Sequence, residues 1–121
     1  MELTSATVEK FRVITIAGKV DWESAGLLDA EIVRRIDAGE LFFAFDLNAV
    51  THLSSGGIGA IAFNTNLIRS MEGDVHLISS NEYVNDIFER LRLTLLFEGR
   101  CHRTSEEFTA QVCKRIGIHS D

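Results

Sequence analysis

Leu41-Phe42-Phe43-Ala44-Phe45-Asp46-Leu47, Asn48-Ala49-Val50-Thr51-His52-Leu53 and Ser54-Ser55-Gly56-Gly57-Ile58-Gly59 follow one another in the middle of the chain. The first segment is almost continuously apolar, which suits a strand covered on both faces by helices. The second reads as a short polar turn. The third opens a helix predicted from about Ser55 to Ser70, with Ile58, Ile61, Ala62, Thr65 and Ile68 on its buried stripe and Phe63 and Leu67 off it. A strand feeding a glycine-rich helix start lifts serine hydroxyls onto an accessible edge. The free N–H groups and partial positive charge of a helix start also suit a phosphate.

Outward from this centre, strands and helices alternate. Thr7-Val8-Glu9-Lys10 and Phe11 to Ala17 read as a short strand, a turn and a longer strand. Asp21 then caps a helix whose apolar face is Ala25, Leu28, Ile32 and Ile36, with Gly39 as its stop. Val75 to Ile78 is a further strand. Ser79 and Glu82 have capping-box spacing for a helix with Val84, Ile87, Phe88 and Leu91 on its apolar face. Arg100 to Arg103 reads as a short edge strand. Thr104 and Glu107 repeat the capping pattern before a last helix carrying Phe108, Val112 and Ile116. The order β-β-α-β-α-β-α-β-α predicts an α/β fold: a mixed, mostly parallel sheet of four to five strands with about four helices.

Size and composition narrow the function. The chain has 121 residues, no proline and no low-complexity tract, so a single domain over 1–121 is expected. A net charge of −6 disfavours nucleic acid and anionic membranes as partners. No apolar run approaches the ~20 residues of a membrane span and no leader pattern opens the chain, so a cytoplasmic protein is expected. Cys101 and Cys113 have neither zinc nor C-x-x-C spacing and read as reduced thiols, Cys113 buried or half-buried on its helix.

Enzyme signatures are missing. No G-x-S-x-G elbow surrounds Ser54 or Ser55, and neither a P-loop nor G-x-G-x-x-G occurs. His52, His76, His102 and His119 lack metal-ligand spacing. His52 reads as a solvated turn residue, His76 as a strand residue and His119 as part of a frayed tail. Asp46 reads as a partner for backbone N–H groups of the following loop. The expectation is a binding module, not an enzyme, without metal or cofactor. Nucleotide binding at the helix start and a hydrolase using Ser54 are weaker readings. Phe63 and Leu67, one turn apart, outline an apolar docking patch beside the serines.

Together these residues resemble the STAS family, the bacterial anti-sigma-factor antagonists and their relatives. The resemblance covers nearly the whole chain. It includes Ile16-Ala17-Gly18-Lys19-Val20-Asp21, the apolar strand ending at Asp46-Leu47, and Leu53 to Gly59, which lies where the family has D-S-[ST]-G-[LI]-G. Leu53 stands in place of the family's aspartate, and Gly57 in place of its leucine or isoleucine. The resemblance implies helices packed mainly on one side of the sheet. It also implies a mode of action: the unphosphorylated protein binds an anti-sigma serine kinase, phosphorylation of Ser54 (Ser55 as second choice) releases it, and a PP2C-type phosphatase resets it. The expected partner-binding surface comprises Asp21, Asn48, Leu53, Ser55, Gly56, Gly57, Ile58 and Phe63. The alternative, motivated by Leu53, is a non-phosphorylated adaptor in a signalling or transporter complex.

Overall fold

The computed structural model describes residues 1–117, with side chains described through Cys113. His119, and the side chain of Ile116, lie outside the described residues. Five strands, β1 (Glu2–Val8), β2 (Phe11–Val20), β3 (Phe42–Leu53), β4 (Asp74–Ile78) and β5 (Cys101–His102), stand in the order β1-β2-β3-β4-β5. Four helices, α1 (Trp22–Asp37), α2 (Ser55–Ser70), α3 (Glu82–Arg90) and α4 (Ser105–Gly117), connect or follow them, with a 3₁₀ turn at Leu93–Phe97. β1 runs antiparallel to β2, and every later neighbour is parallel, so the sheet is mixed as expected.

The central strand carries two cores because its side chains alternate. Phe43, Phe45 and Leu47 point into the larger core, with Ile14 and Ile16 from β2 and Leu28, Ile32, Ile61, Ile68, Val84 and Phe88 from α1, α2 and α3. Ala44 joins Phe11, Val13 and Ile78 on the opposite face, under Phe108 and Val112 of α4. Three helices thus cover one face and one helix the other.

Several local expectations are corrected. The first strand is Glu2–Val8, starting five residues before the expected Thr7, while the turn falls at Glu9-Lys10, within the expected segment. It is an edge strand, mostly solvated, so its apolar alternation is faint in the sequence. Asn48–Leu53 is not a turn but the second half of β3. Pairing with β2 resumes after register shifts, with Ala17 opposite Ala49 and Val20 opposite Leu53. The shifts break the period of two, which is why these residues read as irregular. His52 is therefore an exposed strand residue opposite Lys19.

On α2 the buried stripe is Gly57, Ala60, Ile61, Asn64, Thr65 and Ile68, while Ile58 and Ala62 are half-buried. Asn81, not Ser79, caps α3, accepting from Tyr83 N (3.1 Å) and Val84 N (3.4 Å). Leu91 lies beyond the end of α3 and is exposed. Cys113 is exposed, one position past buried Val112, and both cysteines are free. Gly39 ends α1 as expected, at φ +95°, a conformation glycine adopts without strain.

A polar chain runs from the exposed Arg100 to the buried His76 beside α4. Arg100 Nε donates to Asp74 Oδ1 at 2.6 Å, and Asp74 Oδ2 faces His76 Nε2 at 3.1 Å. Burial raises the Asp74 carboxyl pKa, but Arg100 and His76 outweigh this and hold it below the ordinary range. With Asp74 ionised, His76 Nε2 carries the proton. Its Nδ1 then accepts from His102 Nε2–H at 2.8 Å. His76 is 1% exposed, and burial pushes its imidazole down to about 4 despite Asp74.

An unfolded histidine titrates at 6.5, so between those values the unfolded chain binds the extra proton. Stability from this group is complete above 6.5 and is lost as pH falls towards 4. The loss is on the order of 3 kcal/mol. Urea unfolding at pH 7 and pH 4.5 should show it, and His76→Gln should flatten the dependence.

Candidate functional site at the paired helix starts

β2 and β3 end side by side at Val20 and Leu53, and each chain turns at once into a helix. The starts of α1 and α2 therefore lie together at the carboxyl ends of parallel strands, where open α/β sheets place their binding surfaces. Ser54 N donates to Val20 O at 2.9 Å, which fixes one start to the other.

Asp21 caps α1 reciprocally. Its Oδ1 accepts from Ser24 N at 2.8 Å, and Ser24 Oγ accepts from Asp21 N at 2.9 Å. The Ser24 backbone N–H holds the Asp21 carboxyl below the usual carboxylate range. Ser54 caps α2, its Oγ accepting from Gly57 N at 3.2 Å, while its carbonyl accepts from Ile58 N at 3.0 Å. The Ser54 hydroxyl can still donate its own proton outward. Ser54 is half-buried and Ser55, the first helical residue, is exposed. Among the described residues no hydrogen bond joins a histidine or carboxylate to either serine, so neither hydroxyl has a base to activate it.

Leu53 and Gly57 share one space. Leu53 is 5% exposed, and a Cβ on Gly57 would stand 2.9 Å from Leu53 Cδ1 and 2.8 Å from Val20 Cγ1. Leu53 and Val20 fill the space that a side chain at 57 would need. Leu53 and Gly57 thus support the site from beneath, whereas Gly56 and Ile58 are half-buried. Leu53 N also donates to Tyr83 Oη at 3.0 Å.

Asn48 is a clamp. Its Nδ2 donates to Arg103 O at 2.9 Å and its Oδ1 accepts from Ser80 N at 2.6 Å, tying β3 to the segments after β4 and β5. Asp46 accepts from Asn48 N at 3.0 Å, the backbone role expected of it. Phe63 is 67% exposed, but Leu67 is half-buried, so the expected patch of these two is incomplete.

The aromatic that shares a groove with Phe63 is Trp22, 76% exposed at the start of α1 and absent from the expected surface. Trp22 lies three residues before Ala25, so periodicity alone puts it at the shoulder of the buried stripe. The signal that marks it is its place directly after the Asp21 cap, where a helix overhangs the sheet.

A mixed sheet with two helix starts at its parallel strand ends and a capping serine over a glycine is the architecture of a STAS domain. The family model of the STAS domain matches residues 2–108, and the chain belongs to that family. BtrV of Bordetella bronchiseptica, named as an anti-sigma factor antagonist, is 26% identical over 89 residues, 74% of this chain and 77% of that protein. A Thermotoga maritima protein also named as an anti-sigma factor antagonist has a similar solved structure. Its TM-score is 0.82 at 20% identity, over 91% of this chain and 93% of that one. The Bacillus cell fate determinant SpoIIAA in its phosphorylated form gives a TM-score of 0.74 at 18% identity, over 92% and 99%. At these identities the two structures establish likeness of fold. Among the described residues no group of three histidine, cysteine or acidic side chains could hold a metal, and no helix is long and apolar enough to cross a membrane.

Proposed function

We propose that this protein is an anti-sigma factor antagonist that binds an anti-sigma serine kinase while Ser54 is unmodified and leaves it when Ser54 is phosphorylated. One observation carries the reading: Ser54 Oγ sits half-exposed at the cap of α2, with no base among its partners. A hydroxyl so placed is a substrate for another protein's chemistry. The kinase transfers the γ-phosphoryl of ATP to Ser54 Oγ, ADP leaves, and the hydroxyl proton passes to a base of the kinase. The product gains about −1.5 to −2 charge at pH 7. The start of α2 tolerates that charge within the protein, but a packed interface must desolvate it. A PP2C-type phosphatase then returns the hydroxyl by hydrolysis. The names of BtrV and the Thermotoga protein, and the phosphorylated form of SpoIIAA, support this reading.

Incubation with its anti-sigma kinase and MgATP should add one phosphoryl group by intact mass, and Ser54→Ala should remove the gain. An unchanged mass, with no complex in the presence of ADP, would overturn the proposal. Leu53 favours a second reading, a constitutive adaptor. It predicts that Ser54→Ala and Ser54→Asp both bind the partner like wild type.

A further inference from the structure

From the two helix starts an open groove of about 420 Å³ runs between α1 and α2. Each helix lines it at an i, i+3, i+4, i+7 spacing: Trp22, Ala25, Gly26 and Asp29 on α1, and Gly56, Gly59, Ala60 and Phe63 on α2. The small residues make a low floor, and the two exposed aromatic rings stand over it. Trp22 lies directly against Gly56, where an added Cβ would be 3.0 Å from its ring. The groove is therefore continuous with the Ser54 turn.

Asp29 is the one charged residue lining this groove. Its Oδ1 accepts from Asn64 Nδ2 at 2.7 Å, which fixes the carboxylate, and no cation pairs with it among the described residues. Asn64 is fully buried, and its own Oδ1 has no partner. Asn64 and its neighbour Thr65, whose hydroxyl is also buried without a partner, interrupt the apolar stripe of α2. A buried amide left half satisfied costs stability, so its presence is better explained by the carboxylate it positions than by packing. A fixed, unpaired carboxylate in an apolar groove is complementary to a cation carried beside an apolar side chain.

We propose that this groove docks a segment of the kinase partner that sets an aliphatic or aromatic side chain between Trp22 and Phe63 and a lysine or arginine on Asp29. The identity of the occupant rests on the partner-switching reading above; its chemistry rests on the groove. Docking here adds contact that Ser54 does not gate, so it strengthens both the binding and the phosphorylated encounter. The net charge of −6 favours the same cationic class of segment.

Two arms test this on the whole protein. In the first, 15-residue peptides carrying one leucine or phenylalanine and one arginine three or four positions away are titrated while the emission of Trp22, the only tryptophan, is followed. Saturable shifts are expected for arginine peptides and not for matched glutamate peptides. Asp29→Asn keeps an acceptor for Asn64 but removes the charge, and should weaken binding about tenfold. Phe63→Ser, at an exposed position, should do the same without lowering the melting temperature. In the second arm, affinity for the kinase with ADP is measured by calorimetry, and both variants should lose about tenfold. No saturable shift with any peptide overturns the groove proposal. Wild-type kinase affinity in both variants overturns the assignment of the occupant. No complex between wild type and kinase, with peptide binding intact, overturns the partner-switching reading and leaves the groove's chemistry standing.

Discussion

Ser54→Asp is expected to fold as well as the wild type and, under the proposed partner switch, to lose binding to the anti-sigma kinase. Aspartate is as good an N-cap as serine, so the acceptor for Gly57 N is kept. A carboxylate at the start of α2 also complements the helix dipole. Thermal unfolding should therefore move little. Ser54→Ala, by contrast, removes the cap and should cost about 1 kcal/mol, roughly 4 °C in a domain of this size.

Binding should reverse that order. Alanine leaves an uncharged surface and should keep the partner within a few-fold. Aspartate brings a charge that the interface must desolvate without a counter-ion, worth ~2–4 kcal/mol, a loss of 30-fold or more. Calorimetry with ADP and the kinase, beside melting curves of both variants, separates the two effects. Equal affinity for the two variants would show that charge at this cap is not what the partner senses.

The second large effect concerns Leu53 and Gly57. Leu53→Asp should destabilise by ~3 kcal/mol or more, since it removes a buried apolar side chain and sets a carboxylate against Val20. Gly57→Leu should cost about 2 kcal/mol, because its Cβ alone would meet Leu53 Cδ1 and Val20 Cγ1 inside 3 Å. The double variant sets aspartate at 53 and leucine at 57 and should recover part of both losses. In urea unfolding the coupling should be at least ~1 kcal/mol. Additive losses would mean that the two positions do not share one space. In the kinase reaction the double variant also asks what an aspartate before Ser54 does, in a background more stable than the sum of the single losses.

Much of this was legible in the sequence because local patterns and tertiary demands agree. The almost continuously apolar run from Leu41 to Leu47 demands cover on both faces, and the structure has it. Asp21 and Ser54 mark helix starts by the side-chain chemistry of capping, which is local. What stayed hidden depends on pairing between distant segments. The second half of β3 reads as a turn until β2 is laid beside it with its bulges. Asn48 resembles a surface contact residue until Arg103 and Ser80, far away in sequence, arrive at its amide. The α1–α2 groove is a product of two helix faces, so neither Trp22 nor Asp29 announces it alone. Leu53 and Gly57 look unrelated in sequence and prove to share one space.

The sheet's second face has a consequence for how the domain comes apart. Among the described residues α4 alone shelters Phe11, Val13, Ala44 and the imidazoles of His76 and His102, whereas three helices share the other side. Opening of that single lid would wet the histidine chain while the serine-bearing half kept its shape. Acid injury should thus begin at the carboxyl-terminal helix and reach the partner surface last.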